Sequence, residues 1–447
     1  MSVQFRVLTR LFQPWRKAAL LVVLLTAAPV WSQPTGAPTG GSEFLLTLDD
    51  AVAIALSENA GLAALDARAA ALSNVPSQAG AMPDPVVGLS AMNFPTDTFD
   101  FDQEPMTQLQ LSFSQPIPFP GKRQLMREAA QYEATAAESQ IEERLLTLAA
   151  DVRATWWGLF YLDRSLEIIE QNQSLMRDFV EVAQSKYRVG DGLQQDVLLA
   201  QLELSRLLDR QLATEGRRTS IQSTLNYLLS RPGDASLDLP ATASSVELPS
   251  LPSEAELLET AIAARPRLAA ETALVDAART RVDLANKNLR PDFRVGLGYG
   301  VRDGRNPLTG ESRPDFLSVN FSVTVPLYAD SKQRSAIEQR THEMSQRRYV
   351  LNDTLRSIQA AVARYRFDYE TASSQVELVS GAIIPQAQQT VASMLAGYQT
   401  NQVDFLNVMS SQITLYNAQI SYWESLSSAK AALAKLAAAV GEEVLYE

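Results

Sequence analysis

The sequence predicts a mainly helical chain with a small membrane-embedded β part, built as two tandem repeats of long coiled-coil helices plus two strands each. Three observations predict this class. The chain matches itself at an offset of a little over 200 residues, each copy carries an apolar run of alternating threes and fours too long for a globular helix, and several segments alternate apolar and polar side chains over nine or ten residues.

The repeat rests on anchors that keep one order. ALSENAGL (55–62) falls on AIAARPRL (261–268), MPDPVVGLS (82–90) near LRPDFRVGLG (289–298), FSQPIP (113–118) on FSVTVP (321–326), and YRVGDGLQQDVLLAQ (187–201) on YQTNQVDFLNVMSSQ (398–412). Proline-rich, small-polar sequence at 231–256 separates the copies as a linker. The expected boundaries are therefore 46–230 for the first repeat and 257–441 for the second, with a tail at 442–447.

Ahead of the repeats, Arg6, Arg10, Arg16 and Lys17 precede an apolar run at 18–28, and Val30 and Ser32 suit a peptidase site. Residues 1–32 are expected to be an export signal and 33–45 a flexible mature N-terminus. A transmembrane anchor is the competing reading, but the run is well short of the ~20 apolar residues a span requires. No cysteine follows it, so no lipid anchor is expected at that point.

The 447 residues carry a formal charge of −12, no cysteine and one histidine; without the four basic residues of the leader, 35 basic side chains face 51 acidic ones, a charge of −16. An acidic chain of this kind is a poor nucleic-acid ligand and, lining a passage, favours cations. Disulfides and thiolate metal sites are excluded.

Each copy reads helix, strand, strand, long helix, turn, helix. The first long helix is expected from about residue 121 to 188, with Ile141, Leu145, Leu148, Val152, Trp156, Leu159, Leu162, Leu166, Ile169, Met176, Val180, Ala183 and Tyr187 forming its seam. Its counterpart at 330–398 contains Gly381 and Pro385, which predict a bend near Ile384. Shorter helices are expected at about 48–79, 194–230, 254–288 and 402–440.

In the strands, Leu109, Leu111 and Phe113 alternate with Gln108, Gln110, Ser112 and Ser114, and Leu317, Val319, Phe321 and Val323 alternate with Ser318, Asn320, Ser322 and Thr324. An amphipathic sheet packed on a core would show the same alternation. Here the flanking helices are committed to their own seams, which leaves the apolar sides to lipid. Four strands cannot close a barrel, and an open edge in lipid is costly, so the chain is expected to oligomerise. QPIPFPGKR (115–123) is then the corner where wall becomes rod, with Lys122 and Arg123 expected in water just below it.

The double repeat, QPIPFPGKR, KYRVGDGLQQDVLLAQ (186–201), IIPQAQQTVASMLAGYQTNQVDFLNV (383–408) and ITLYNAQISY (413–422) resemble the TolC-like outer-membrane factors, the exit ducts of tripartite efflux pumps and type I secretion systems. The resemblance covers about 46–441. It implies a homotrimer whose chains give four strands each to a 12-stranded barrel in the outer membrane, continued by a helical barrel across the periplasm. It also implies two partners, a periplasmic adaptor protein and an inner-membrane pump of the RND type or similar. AMPDPVVGLSAMNFPTDTFDFDQEPMTQ (81–108) and PFPGKR look like the branch that accompanies heavy-metal resistance. Met82, Met92, Met106, Asp97, Asp100, Asp102 and Glu104 would then meet cations at the outer mouth; a solvated acidic loop is the plainer reading, and no resident metal or cofactor is expected.

By the same resemblance, Val189, Gly190, Asp191, Gly192, Leu193 and Asn401, Gln402, Val403 form periplasmic tips that close the duct and dock the adaptor. Asp196 and Tyr398 match positions whose hydrogen bond holds the tips shut, and Asn407 and Ser410 fall where relatives can carry acidic rings. The sequence departs in two respects: Val403 stands where an arginine can lock the aspartate, and Asn407 and Ser410 are uncharged. Asp404 is the candidate substitute ring, with a helix N-cap as its alternative role; Asp196 has the same alternative.

No catalytic constellation emerges. HEMSQ (342–346) lacks the second histidine of a zinc helix, GLGYG (296–300) lacks dinucleotide spacing and reads as small residues facing a bore, and PGKR (120–123) lacks a phosphate loop's flanking residues. Three classes remain: an efflux duct, a protein-secretion duct, and a periplasmic coiled-coil adaptor, which would lack lipid-facing strands.

Overall fold

A computed structural model describes residues 45–243, 246–306, 308–400, 402–442 and 445–446. The export signal expected at 1–32, the stretch that follows to residue 44, and Asn401 lie outside the described residues.

The first repeat runs α1 (Leu48–Glu58), α2 (Ala60–Ser73), α3 (Val75–Ala79), β1 (Val86–Met92), β2 (Gln108–Ile117), α4 (Lys122–Val189) and α5 (Gln194–Leu228). The second runs α6 (Glu254–Ala264), α7 (Pro266–Lys287), β3 (Asp292–Val301), β4 (Phe316–Thr324), α8 (Ser335–Leu378), α9 (Ile384–Gln399) and α10 (Phe405–Val440). Helix α4 is an unbroken rod of 68 residues, about 100 Å at 1.5 Å per residue. Its seam follows the expected rhythm through Leu148, Val152, Trp156, Leu159, Leu162, Ile169, Met176 and Ala183, all buried. Tyr187 departs from it and is exposed, two residues before the helix ends at a turn.

Interruptions mark the second rod. A π-helical segment, Asp330–Arg334, precedes α8, and another, Val379–Ile383, separates α8 from α9. The second lies where Gly381 and Pro385 predict a bend: Pro385 sits in the first turn of α9, where its missing N–H costs nothing.

The short helices are more divided than expected. The segment at 48–79 breaks at Asn59 and Asn74, and the segment at 254–288 breaks at Arg265. Asn59 and Arg265 occupy matching places in the two copies and adopt the same extended backbone, φ −67, ψ 114 and φ −71, ψ 116. Both are buried, and both reach the last helix of their own repeat: Asn59 Nδ2 donates to Leu228 O at 3.0 Å, and Arg265 Nη1 to Ala438 O at 2.5 Å. The break thus turns a side chain onto a helix-end carbonyl that the helix itself leaves unpaired. Beyond this shared bond the residues diverge. Asn59 also caps α2 through Leu62 N, whereas Arg265 holds Glu143 of α4 in a two-point ion pair at 2.9 and 2.6 Å.

Midway along α4, Trp156, Trp157 and Phe160 anchor the largest apolar cluster, with α1, the end of α5, Leu237 and Leu426 around them. The Trp156 indole donates to Leu46 O at 3.0 Å and the Trp157 indole to the Tyr446 hydroxyl at 2.8 Å, so segments flanking both repeats wrap this girdle. Lys430 is buried there too, donating to Glu247 O at 2.6 Å. Burial lowers its pKa, opposed by the charge of Glu247.

The strands form one antiparallel sheet in the order β1-β2-β3-β4. The central seam joins the repeats: Leu111 of β2 pairs with Tyr299 of β3 and, on its other side, with Leu89 of β1.

Removing one member of the Arg265–Glu143 pair strands a carboxylate in a largely buried place, so Arg265→Ala should cost about 3–5 kcal/mol. The matching Asn59→Ala should cost nearer ~1 kcal/mol, the size of a lost cap. Denaturant titration of helical circular dichroism in detergent checks the ordering; equal losses would show that the two breaks are energetically alike.

Candidate functional site

The alternation in each strand sorts the sheet into two unlike faces. One is continuous and apolar: Val87, Leu89, Leu109, Leu111, Phe113, Val295, Leu297, Tyr299, Leu317, Val319, Phe321 and Val323 lie in register across it. All of these but Leu109 are exposed, Leu317 and Val319 by 72% and 70%, so no helix of the described residues covers them. The core-packed alternative is thereby excluded. The opposite face carries Gln108, Gln110, Ser112, Ser114, Gly296, Gly298, Gly300, Ser318, Asn320 and Ser322. Among the described residues, β1 and β4 each have one unpaired edge.

At the corner between wall and rod, Gly121 takes φ 89 and α4 begins at Lys122. The expectation that Lys122 sits in water is wrong. It is 4% exposed, and its Nζ donates to Asp292 Oδ1 at 2.8 Å and Arg290 O at 3.1 Å. Asp292 Oδ1 also accepts from Phe119 N at 2.8 Å. Arg123 donates through Nε and Nη2 to Gly80 O. A buried cation beside a strand end needs such partners, and they come from the other repeat and from α3's cap, too far along the chain for local sequence to reveal.

At the opposite end of the rods lie the two turns. Val189 ends α4; Gly190 takes φ 84, and the amides of Gly190 and Asp191 return to Tyr187 O and Lys186 O, closing the helix as a glycine C-cap does. Gly192 passes close over Lys186, and Leu193 caps α5. In the second turn Gln402 N donates to Gly397 O at 2.8 Å, and Val403 lies against Gly397, where a Cβ would displace it. Gly397 is the contributor that sequence reading missed; its signal was a glycine a few residues ahead of the turn.

Tyr398 is half-buried against Phe405, ring centroids 5.6 Å apart, and Lys186 Nζ stands 3.9 Å over its ring. Burial and then the charge of Asp196 raise the Tyr398 pKa, so it keeps its proton at neutral pH. Asp196 and Tyr398 are therefore electrostatically coupled, though no hydrogen bond joins them among the described residues. Asp196 lies in the first turn of α5 without capping it. Asp404 occupies the N-cap position of α10, and its side chain makes no cap bond, leaving the carboxylate exposed. Asn407 and Ser410 continue along the same exposed side of α10, opposite the buried Phe405, Val408, Met409 and Gln412. Above the turns, buried polar side chains tie three helices together. Gln412 Nε2 donates to Asn172 Oδ1 at 2.8 Å, Gln173 Nε2 to Gln211 Oε1 at 2.7 Å, and the Tyr416 hydroxyl reaches Glu203 at 3.4 Å.

At the other end of the sheet, Arg302 and Arg313 hold the loop between β1 and β2 by its carbonyls, at Pro105, Asp102 and Glu104. Among the described residues no acidic or histidine cluster is spaced to hold a metal, and His342 is exposed on α8. The helices of the described residues include none long and apolar enough to cross a membrane.

The family model described as outer membrane efflux protein matches residues 51–231 and 257–442. The cobalt-zinc-cadmium resistance protein CzcC of Cupriavidus metallidurans is 21% identical over 378 residues, covering 84% of this chain and 85% of that protein. The alkaline protease secretion protein AprF of Pseudomonas aeruginosa is 22% identical over 306 residues, covering 67% and 61%. Among solved structures, the outer membrane protein VceC of Vibrio cholerae superposes with a TM-score of 0.73 at 19% identity, covering 90% of this chain and 97% of that one.

Gly190→Val forces a β-branched side chain into a left-handed conformation, a strain of about 1–3 kcal/mol, and Gly397→Leu pushes Val403 off its seat. Both should open the turns to limited proteolysis at 189–193 and 400–404 while the rods resist. Unchanged cleavage at both turns would show that neither glycine sets the tip.

Proposed function

The chain belongs to the outer membrane efflux protein family, and on that premise we propose that three copies close into a 12-stranded barrel in the outer membrane. A helical barrel then continues the barrel into the periplasm. The family's members are non-enzymatic conduits, and this duct is passive: an inner-membrane pump, of the RND type or similar, performs the work, and a periplasmic adaptor joins pump to duct. The observation that carries the reading is the exposed apolar face of a four-stranded sheet with two unpaired edges. Lipid removes the water that would otherwise satisfy those edges, so only closure pairs them. The same face argues against a periplasmic adaptor, which has no use for it.

The tips at 189–193 and 401–403 are the proposed adaptor-docking and closing elements. Asp196 and Tyr398 form the gate pair; Asp404, Asn407 and Ser410 line the constriction, with three copies of Asp404 giving a ring of carboxylates that draws cations. The likeness to a cobalt-zinc-cadmium resistance protein supports heavy-metal cations or small toxic compounds as the exported class. The likeness to a protease secretion protein keeps type I protein secretion as the second reading. Crosslinking from 189–193 to the inner-membrane partner decides between a small-solute pump and a protein exporter.

Val319→Arg places a charge on the lipid side at a cost of about 2–4 kcal/mol, and should abolish detergent-resistant trimers and outer-membrane fractionation. Wild-type behaviour of this variant would refute the barrel. In planar bilayers, Asp196→Ala should raise single-channel conductance by loosening the tip, and Asp404→Asn should move the reversal potential in a salt gradient toward zero selectivity. Unchanged values in both would remove the gate and ring roles and leave the duct.

A further inference from the structure

The polar side of the sheet holds a feature that duct formation alone does not require. On β3, glycine occupies each of Gly296, Gly298 and Gly300, and two glutamines of β2 lie flat across the last two. A Cβ on Gly298 would fall on the amide of Gln110, and a Cβ on Gly300 on the amide of Gln108, both nearer than any real contact. These are diagonal neighbours, since Gln110 pairs with Gly300 and Ser112 with Gly298. Gln108 is 7% exposed, its Nε2 points to Met92 Sδ at 3.9 Å, and its Oε1 accepts no hydrogen bond among the described residues. A buried, unpartnered amide oxygen is costly, so apart from the weak Nε2 contact to Met92 Sδ it is the shape of the wall that holds the side chain down. By sequence these glycines are only small residues facing a bore; the structure shows what they make room for.

We propose that Gly298 and Gly300 set the width of the outer bore by giving Gln110 and Gln108 a place to lie against the wall. The inference rests on the barrel reading, in which the polar face lines the bore. Strand ends place the pair near the outer mouth: Gln108 and Val301 adjoin the loops at 93–107 and 302–315, while Ser322, across from Arg294, lies deeper. In a closed trimer each layer recurs three times, making two stacked rings of three glutamines. A methyl group on either glycine lifts its glutamine off the wall. The lifted side chains project into the bore and narrow it for large solutes while small ones still pass. The two residues thus act as a size determinant, separate from the tip gate at the other end of the rods.

The chain has no cysteine, so one introduced thiol reports without background. Ser322→Cys in intact cells is treated from outside with a small methanethiosulfonate and with a graded series of polyethylene-glycol maleimides. With Gly300→Ala or Gly298→Ala added, labelling by the largest maleimide that enters the parent should be lost, while labelling by the small reagent is retained. Adding Gln108→Ala or Gln110→Ala respectively should restore it. Should a glycine variant fail to assemble, Gln108→Ala alone should admit a larger maleimide than the parent does. If the size limit is the same in all these variants, the proposal is overturned and the barrel stands. If the small reagent never reaches the thiol of Ser322→Cys yet labels Val319→Cys, the polar face is not the bore, and barrel and proposal fall together.

Discussion

Everything in the structure is conditioned by backbone groups that cannot be left unpaired. The sheet's outer strands, β1 and β4, offer free edges beside an exposed apolar face; in the proposed membrane setting each unpaired group there would cost several kcal/mol. A globular protein would meet this by covering the sheet with a helix. Here every long helix is engaged elsewhere: α4 runs against α5, α7 and α10, and α8 against α7 and α10. Among the described residues the sheet therefore keeps two unpaired edges, and the helices below it also carry exposed apolar residues. Exposed Leu198, Leu202, Leu208 and Leu212 mark the free side of α5.

That arrangement places a demand on the corner between sheet and rods, where a ladder with an exposed apolar face must end and a 68-residue helix begin within a few residues. The ladder runs through Pro116 to Ile117 and stops before the prolines at 118 and 120, but these do not fix the direction of the rod. Direction comes from Lys122, clamped to Asp292 and Arg290 of the other repeat, and from Arg123, clamped to the last turn of α3. Each cation is satisfied by groups on a different element, so the start of α4 is tied on both sides. A surface lysine would supply no such constraint, since exposed pairs contribute little.

The sequence made the periodic features legible and hid the ones that depend on distant partners. Leu111, Phe113, Val319 and Phe321 stand on the face their alternation assigns, and α4 begins and ends within a residue of the expected limits, because a period of two or of three and a half is written locally. The break at Arg265 was legible in principle: the residue before a proline is disfavoured in a helix, and Pro266 follows it. Asn59 gave only a capping residue inside an alanine-rich stretch, and the fold decided. The burial of Lys122 could not be read at all, since its partners lie some 170 residues on. At the tip, Gly190 announced its turn by type, whereas Gly397 matters through a contact with Val403 that only the return of the chain creates.

One further consequence follows from the composition of the lower rods. Their seams mix polar with apolar residues: α10 buries Ser411 and Gln412 beside Val408 and Met409, and α4 buries Asn172 and Gln173 beside Ile169 and Met176. An apolar seam of low relief tolerates sliding, because one leucine serves as well as the next a turn away. The amide layers do not. A slip of α10 by one heptad would carry Gln412 away from Asn172 and leave the Gln412 amide and the Asn172 Oδ1 without each other, a loss larger than the bond itself contributes. The glutamine and asparagine layers therefore specify register more than they add strength. Long antiparallel rods need that most, because an error at one end is carried undiminished to the other. The turns that Asp196, Tyr398 and Asp404 flank lie at the far end of those rods, so their relative placement is inherited from side-chain amides buried several turns above them.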